Sequence, residues 1–201
     1  MSDFDKEYSY NLNVIPLDDE GIDARTEGYS NANWENNVWP KISHIIKNAN
    51  TLIDVGAGNG RRSKFFSEHV SNVYALDCAQ QYENKKYKNI VCKDIPNVEF
   101  IDADFLDYDF GNKKFDVVYC EGSFYYMSMV HGPEKVFEVI NSIVNDNGYV
   151  IILEGNRPDL WTAEDFTEKY DFEFCRVHRT VHWGTSPAAN SLRIMGKKNE
   201  S

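Results

Sequence analysis

The sequence predicts an α/β fold: a doubly wound, mainly parallel sheet of seven strands with helices on both faces and a terminal antiparallel strand pair. Short β-branched and apolar runs alternate with helical patterns along most of the chain, which is typical of a parallel sheet. The last two runs are joined by a loop containing Gly, Ser and Pro, without a helical pattern between them, and this indicates antiparallel pairing. A glycine-rich turn follows the first run, where such folds bind ligands.

The predicted elements begin at Trp34, with a helix over residues 34–48 in which Pro40 is either a local flaw or an early boundary. The connection between the third and fourth strands is short, so the helix expected there is reduced or missing. A further helix ends at the turn Asp146-Asn147-Gly148. Strands are predicted over residues 51–56, 72–77, 98–104, 115–122, 148–155, 172–179 and 191–196, with helices over 60–70, 136–144 and 162–170.

The composition is that of a globular protein with a single domain. The 201 residues are 42% hydrophobic and 14% aromatic, which suffices for a buried core. Lys and Arg number 21 against 32 Asp and Glu, and the net charge of −11 disfavours a nucleic-acid-binding surface. The longest apolar run, residues 149–153, is too short to cross a bilayer, and no secretion signal is recognisable. We therefore expect a cytoplasmic protein without membrane or nucleic-acid partners.

Residues 1–33 form an acidic extension before the predicted domain, which spans residues 34–201. The first thirty residues hold eight acidic and two basic side chains, a net charge of −6, and show no sustained helical or strand period. One interpretation is a solvated tail. The other is a lid over the site, which Tyr8, Tyr10 and Tyr29 favour.

Neither the cysteines nor the acidic clusters of the sequence indicate a metal site. The cysteines lack CxxC spacing or a His-x-x-His partner, which predicts reduced thiols of an intracellular protein. The acidic residues that follow the third strand lack the spacing of an EF-hand. The cysteines are Cys78, Cys92, Cys120 and Cys175, and the acidic residues are Asp102, Asp104, Asp107 and Asp109.

The glycine-rich turn Asp54–Gly60, with sequence DVGAGNG, joins the first strand to the following helix. Glycines there let the backbone turn sharply and approach a ligand closely, because any Cβ would collide. A dinucleotide-binding fingerprint, GxGxxG, requires a glycine at position 61, where Arg61 stands. The GxGxG spacing therefore opposes a nicotinamide-dependent dehydrogenase.

Acidic residues stand at the ends of the next two strands. Asp77 lies seventeen residues after Gly60, where a carboxylate can accept hydrogen bonds from both hydroxyls of an adenosyl ribose. Asp104 can accept a hydrogen bond from an exocyclic adenine amine, while Phe105 or Leu106 packs near the ring. These positions predict a nucleoside site along the carboxyl ends of the strands.

The fourth strand ends in Glu121-Gly122-Ser123, whose backbone can approach the other end of the same ligand. Each acidic residue also has a purely structural interpretation, with Asp54 as a cap of the following turn and Asp77 or Asp104 as Asx turns. Their order on consecutive strand ends favours the ligand site.

The ordered segments LIDVGAGNG, ALD, DADF, FDVVYCEGSF and NGYVIILEG resemble the motifs of class I S-adenosylmethionine-dependent methyltransferases. The resemblance covers roughly residues 34–198, including the closing antiparallel strand pair. It implies S-adenosylmethionine as cofactor and S-adenosylhomocysteine as product, with Asp77 at the ribose and Asp104 at the adenine. The implied cofactor-binding residues are Asp54, Gly56, Gly58, Gly60, Asp77, Cys78, Asp104, Phe105, Glu121 and Gly122.

The sequence constrains the identity of the methyl acceptor less than that of the cofactor. Residues 120–124 differ from the N/D-P-P-Y/F motif of nucleic-acid enzymes that methylate amino groups. Residues 123–136 resemble the segment after the fourth strand of small-molecule methyltransferases, which makes His131 a candidate general base. Tyr125 is the second candidate catalytic residue, and Tyr125 and Tyr126 are candidate walls of the acceptor pocket. In the purely structural interpretation, His131 bonds to the backbone at the start of the next helix, and Tyr125 and Tyr126 belong to the core. Further candidates near the acceptor are Arg61, Arg157, His178, His182 and Trp183.

We therefore expect a methyltransferase that transfers a methyl group to nitrogen or oxygen of a small molecule. One alternative is a module with this fold that binds the cofactor without catalysis. Another is an enzyme that methylates a protein, since an acidic surface can recruit a basic partner. The sequence does not predict the oligomeric state.

Overall fold

The computed structural model describes residues 34–78, 91–155, 169–170, 172–180 and 190–197. The strands form one sheet of seven in the order β3-β2-β1-β4-β5-β7-β6. Neighbouring strands from β3 to β5 are parallel, whereas β7 runs antiparallel to both β5 and β6. The predicted fold class is confirmed. The strands are β1 (Thr51–Val55), β2 (Asn72–Asp77), β3 (Val98–Asp102), β4 (Phe115–Glu121), β5 (Val144–Gly155), β6 (Phe172–Thr180) and β7 (Asn190–Lys197), and the helices are α1 (Trp39–Ile46), α2 (Arg61–Ser67), α3 (Phe124–His131) and α4 (Pro133–Ile143).

The sheet is buried on both faces, which explains why its central strands read as nearly continuous apolar runs. In β1, Ile53 and Val55 belong to the core cluster that contains the apolar side of α4. Leu52 points to the opposite face and joins the cluster with α1, Trp34 and the phenyl ring of Phe66 on α2. Successive side chains of a strand alternate between faces, so each strand serves both clusters.

Pro40 marks a helix boundary. Residues 34–37 form a helical turn in which the Val38 N–H donates to the Trp34 carbonyl at 2.8 Å. Helix α1 then begins at Trp39 with Pro40 in its first turn. The N–H groups of a first turn have no partner within the helix, so the N–H that proline lacks costs no hydrogen bond there. The early-boundary interpretation is confirmed, and the single helix over 34–48 is corrected to two segments.

The connection between β3 and β4, residues 103–114, contains turns and no helix, as predicted. Helix α3 was not predicted. Its sequence, FYYMSMVH, is apolar on nearly all sides and therefore lacks the amphipathic period that marks a surface helix. None of the described helices is long and apolar enough to cross a membrane.

The turn predicted at residues 146–148 is an irregularity inside β5. Helix α4 ends at Ile143 and β5 starts directly after it, but the ladder with β4 jumps from the pair Phe115–Val144 to the pair Val117–Tyr149. Asn147 accordingly has a positive φ of 61°. The helix predicted over 162–170 lies outside the described residues except for positions 169–170.

Candidate active site

The strand order reverses at the centre of the sheet. From β1 the chain proceeds outward to β2 and β3 and then returns to β4 on the other side of β1. Ligands of open α/β sheets bind in the crevice outside the carboxyl ends of the strands at such a point. All ten predicted cofactor-binding residues lie at or directly after the carboxyl ends of β1, β2, β3 or β4, so the fold brings them to one edge.

The glycine loop after β1 adopts backbone conformations that favour glycine. The φ angles of Gly56, Gly58 and Gly60 are 74°, 61° and 85°. A Cβ on Gly56 would overlap the side chain of Ser123, and a Cβ on Gly60 would overlap the Sγ of Cys92. The loop therefore fits tightly between the segment that enters α3 and the segment before β3.

Backbone hydrogen bonds fasten this loop to the end of β2. The N–H groups of Gly56 and Ala57 donate to the Leu76 carbonyl at 2.8 and 3.0 Å. The Gly58 N–H donates to Oδ2 of Asp77 at 2.7 Å. Burial raises the pKa of Asp77, and the bond from Gly58 opposes that rise. The carboxylate predicted to meet the ribose thus lies directly against the glycine loop.

Asp54 connects β1 to α2. It is 2% exposed and accepts a hydrogen bond from the Ser63 hydroxyl at 2.6 Å. Burial raises the pKa of Asp54 to about 7, against the lowering effect of the Ser63 hydrogen bond. Its side chain thereby fixes the angle at which the chain leaves β1 and enters α2.

Asp104 and Phe105 lie in the turn after β3. Oδ1 of Asp104 accepts a hydrogen bond from the Leu106 N–H at 2.9 Å, which is an Asx turn. The Phe105 ring is 3% exposed and packs edge-on against Phe110, with ring centroids 5.7 Å apart. The structural interpretation of Asp104 is therefore present in the fold, and its contact with adenine stays a prediction.

The side chain of Glu121 is held in a buried network at the end of β4. Arg62 donates to both carboxylate oxygens, at 2.9 and 3.3 Å, and the Tyr119 hydroxyl donates to Oε2 at 2.6 Å. The Trp34 indole N–H donates to the Tyr119 oxygen at 2.9 Å, and its ring lies 4.3 Å from the Arg62 guanidinium carbon. We call these four side chains the Glu121 network.

Charge is balanced within the Glu121 network. Burial alone would lower the pKa of Arg62, but the Glu121 carboxylate raises it, so this pair stays ionised. Burial and the Glu121 charge raise the pKa of Tyr119 well above its ordinary value, which keeps the phenol a hydrogen-bond donor. The network occupies the Glu121 carboxylate and leaves its backbone at the crevice.

Gly122 and Ser123 close the edge between β4 and α3. Gly122 has a φ of 71°, and its N–H donates to the Leu153 carbonyl at 3.0 Å. The Ser123 hydroxyl donates to the Val55 carbonyl at 2.7 Å and lies 3.0 Å from the Cys120 sulfur. Sequence reasoning singled out Ser123 only for its backbone, yet its side chain ties β4 to the end of β1.

The two candidate catalytic residues lie at opposite ends of α3. Tyr125 is half-buried in its first turn, near the crevice, whereas His131 is the last residue and exposed. They are six positions apart in the helix, which corresponds to about 9 Å along its axis. Tyr126 is 37% exposed and makes an edge-to-face contact with Tyr125, with ring centroids 5.4 Å apart. The structure therefore brings Tyr125, more directly than His131, to the edge that carries the glycine loop.

Sequence reasoning missed Glu154, which lies near the carboxyl end of β5. Glu154 is 5% exposed, and its Oε1 accepts a hydrogen bond from the Tyr125 N–H at 3.2 Å. Burial raises the pKa of Glu154 to about 7, while the backbone N–H groups of Tyr125 and Phe124 lower it. The available signal was its position, an acidic residue at a strand end like Asp77 and Glu121.

The remaining candidates are partly outside the described residues. Arg157, His182 and Trp183 are not described, and His178 is described only as a member of β6. Arg61 is half-buried at the start of α2. In the part of the chain that the structure describes, no three His, Cys, Asp or Glu residues are grouped so that they could bind a metal ion.

A known protein family matches the part of the chain that forms this site. The family model described as a methyltransferase domain matches residues 53–152, from β1 into β5. This range contains every predicted cofactor-binding residue. Among curated proteins, none matches the sequence.

Several solved structures are similar to this chain. The N-methyltransferase NodS from Bradyrhizobium japonicum WM9, in complex with S-adenosyl-l-homocysteine, is 11% identical with a TM-score of 0.68, over 94% of this chain and 97% of that chain. The 1,6-didemethyltoxoflavin-N1-methyltransferase from Burkholderia thailandensis, with bound 1,6-didemethyltoxoflavin and S-adenosylhomocysteine, is 17% identical with a TM-score of 0.61, over 98% and 86%. An rRNA methylase from Streptococcus thermophilus is 15% identical with a TM-score of 0.57, over 80% and 96%. At these identities the likeness concerns the fold alone.

Proposed function

Since this chain belongs to the class I S-adenosylmethionine-dependent methyltransferases, we propose that it methylates a nitrogen or oxygen atom of a small molecule. The observation that carries this proposal is the edge formed by β4, β5 and the start of α3. There the Tyr125 N–H donates to the carboxylate of Glu154, the Tyr126 ring contacts that of Tyr125, and Ser123, just before α3, lies against Gly56 of the glycine loop. A net charge of −11 opposes the alternative of an RNA acceptor. Two of the similar structures, by their names, methylate nitrogen, and one methylates rRNA.

The residues of the crevice fit the cofactor. S-adenosylmethionine supplies a methyl group on a sulfonium, which is transferred by in-line displacement, so the protein chiefly aligns donor and acceptor. We propose that the backbone of the glycine loop approaches the cofactor closely, because its glycines carry no Cβ and hold positive φ angles. In the same proposal Asp77 accepts the ribose hydroxyls, and the turn at Asp104 and Phe105 meets the adenine. Aromatic faces of Tyr125 and Tyr126 attract a sulfonium or a cationic acceptor.

Two measurements test this function together. Calorimetric titration should show saturable binding of S-adenosylmethionine and none of NAD. Radiolabelled methyl from the cofactor should then appear in the low-molecular-weight fraction of a cell extract. Label in ribosomal RNA or in protein, with none in small molecules, would overturn the small-molecule proposal while leaving the methyltransferase activity intact.

Replacing Asp77 tests the assigned cofactor contacts. Asp77→Ala removes a carboxylate that the ribose hydroxyls would meet, so cofactor affinity should fall by about 1–3 kcal/mol, the range for a lost charge-assisted hydrogen bond. Calorimetric titration with S-adenosylhomocysteine measures the change. Asp107→Ala is the matched control, because this exposed aspartate lies in the turn after β3 and should leave the affinity unchanged. Equal affinities of the two variants would remove Asp77 from the site.

We also propose that residues 1–33 act as a lid. Trp34, which follows them, is buried in the Glu121 network, so this segment joins the domain close to the carboxyl end of β4. Deleting residues 1–30 keeps Trp34 and should preserve the thermal unfolding midpoint. Turnover should fall on the order of tenfold, because donor and acceptor are then aligned less well and water is no longer excluded from the site. Full turnover in the shortened protein would identify the segment as a solvated tail.

A further inference from the structure

Glu154 is a buried carboxylate on the acceptor side of the crevice, and the cofactor contacts proposed above do not use it. It stands at the carboxyl end of β5, beside Leu153, which pairs with Glu121 at the end of β4. The cofactor is assigned to the carboxyl ends of β1, β2 and β3 and to the backbone at the end of β4, so the carboxyl end of β5 is left for the acceptor. Glu154 therefore lies where an incoming nucleophile would approach.

Within the described residues, the hydrogen bonds of Glu154 leave acceptor positions on its carboxylate. The backbone N–H groups of Phe124 and Tyr125 bond to it and fix the first turn of α3. An ionised carboxylate offers about four lone-pair positions on its two oxygens. Glu154 can thus hold the start of α3 and still accept a hydrogen bond from a ligand.

The charges around Glu154 do not fully compensate the negative charge of its buried carboxylate. Glu121 on β4 repels it, and burial of the Cys120 thiol together with the Glu154 charge raises the pKa of that thiol. Arg193 on β7 attracts it, but burial outweighs this attraction and raises the pKa of Glu154 to about 7. On α3, burial and the Glu154 charge raise the pKa of Tyr126. A cation beside this carboxylate would relieve the imbalance.

From this arrangement we infer that the methyl acceptor is a small amine, and that Glu154 binds its nitrogen between the carboxyl end of β5 and the faces of Tyr125 and Tyr126. Glu154 accepts from the backbone of the helical turn that carries Tyr125 and Tyr126, and its charge acts on Tyr126. A carboxylate and aromatic faces both attract an alkylammonium group. The inference rests on the proposed function and names the acceptor class of that same site.

The inferred step is balanced in protons and electrons. The ammonium gives one proton to a Glu154 oxygen, and the freed nitrogen lone pair forms the N–C bond to the methyl group. The S–C bond breaks as its electron pair passes to sulfur, which leaves S-adenosylhomocysteine and a methylammonium product. Glu154 then releases its proton to water. A carboxyl group that titrates near neutral pH is matched to accepting and releasing this proton.

Binding of two isosteric probes to the full chain, saturated with S-adenosylhomocysteine, tests the inference without requiring the natural acceptor. At pH 8, benzylamine should bind about tenfold more tightly than benzyl alcohol, as measured by NMR titration, because only the amine is a cation. In Glu154→Gln, whose amide oxygen still accepts from the backbone, this preference should vanish while S-adenosylhomocysteine affinity is kept. Glu138→Gln, on the exposed side of α4, removes the same charge elsewhere and should keep the preference.

The pH dependence of probe binding to the unaltered protein provides a second test. Between pH 8 and pH 6 the preference for benzylamine should decline, because Glu154 becomes protonated while the amine stays charged. Equal binding of the probes, no binding of either, or a preference that survives in Glu154→Gln would overturn the inference. Failure of S-adenosylhomocysteine to bind the unaltered protein would instead strike the proposed function itself, so the two failures are distinguishable.

Discussion

At the scale of single residues, glycines with similar backbone angles differ in what surrounds them. Gly56, with φ of 74°, faces the side chain of Ser123, whereas Gly111, with φ of 56°, has open space where a Cβ would lie, with no described atom within 4 Å. The first glycine is therefore required by both conformation and space, and the second by conformation only.

Substituting these two glycines separates the two requirements. Gly111→Ala should lower the free energy of unfolding by about 1–2 kcal/mol through backbone strain. Gly56→Ala adds the overlap with Ser123 and should cost about 1–3 kcal/mol more, with loss of cofactor binding. Urea unfolding and S-adenosylhomocysteine titration measure both effects. Gly56→Ala combined with Ser123→Gly should recover part of the difference; similar losses in the two single variants would contradict the steric account.

Residues of the site differ in how visible they are to sequence reasoning. The glycine loop and Asp77 carry local signals, since a turn that favours glycine and an acidic strand end can be recognised along the chain. Ser123, Cys92 and Glu154 matter through contacts with residues far away in sequence. Such contacts depend on which strands become neighbours, and a single sequence does not display that directly.

At the scale of elements, the Glu121 network holds together three parts of the fold: the turn at Trp34, helix α2 and strand β4. These three parts are distant in sequence, but their side chains pack together in the network. Because Arg62 both pairs with Glu121 and lies against the Trp34 ring, the start of the domain and the helix after the glycine loop share one support.

Removing Arg62 should therefore be costly. Arg62→Ala leaves the Glu121 charge buried without its main counterion, and the free energy of unfolding should fall by about 3–5 kcal/mol. Lys113→Ala breaks the Lys113–Glu99 pair, whose side chains are about half exposed, and should cost under about 1 kcal/mol. Urea unfolding compares the two variants. Equal losses would mean that the buried pair contributes no more than a surface pair.

Element prediction from the sequence succeeded wherever burial was one-sided or strands were short and apolar. The second strand, residues 72–77, was predicted with its observed bounds. Helix α3 was missed because its apolar residues, including the exposed Met129 and Val130, do not form one stripe. Pro40 was ambiguous, since proline is compatible with a first helical turn and with a break.

At the scale of the whole molecule, two buried carboxyl groups make stability depend on pH. Asp54 and Glu154 both have a pKa raised to about 7 by burial, compared with ordinary values of 3.8 and 4.5. Between the ordinary pKa of each group and about 7, the folded protein retains protons that the unfolded chain has released. The stabilisation that these protons provide is therefore greatest at the acidic end of this pH interval, and it is lost as the pH rises through about 7.

Thermal or urea unfolding of the cofactor-free protein at pH 5.5, 6.5, 7.5 and 8.5 checks this dependence. The free energy of unfolding should decrease up to about pH 7, by at most about 1.4 kcal/mol per pH unit for each group, and change little above it. Asp54→Asn, which cannot titrate, should reduce the slope. A free energy that rises with pH across this interval would contradict the assigned protonation.

The position of β7 between β5 and β6 also bears on biosynthesis. Residues 190–197 are the last described part of the chain, yet they provide the only described ladder between β6 and the rest of the sheet. While these residues are still within the ribosome, one edge of β5 lacks its partner and β6 has no place to pair. The nascent chain can gather its first strands during translation, but the sheet is completed only after synthesis has passed residue 197, and until then the open edge is a site for chaperones or aggregation.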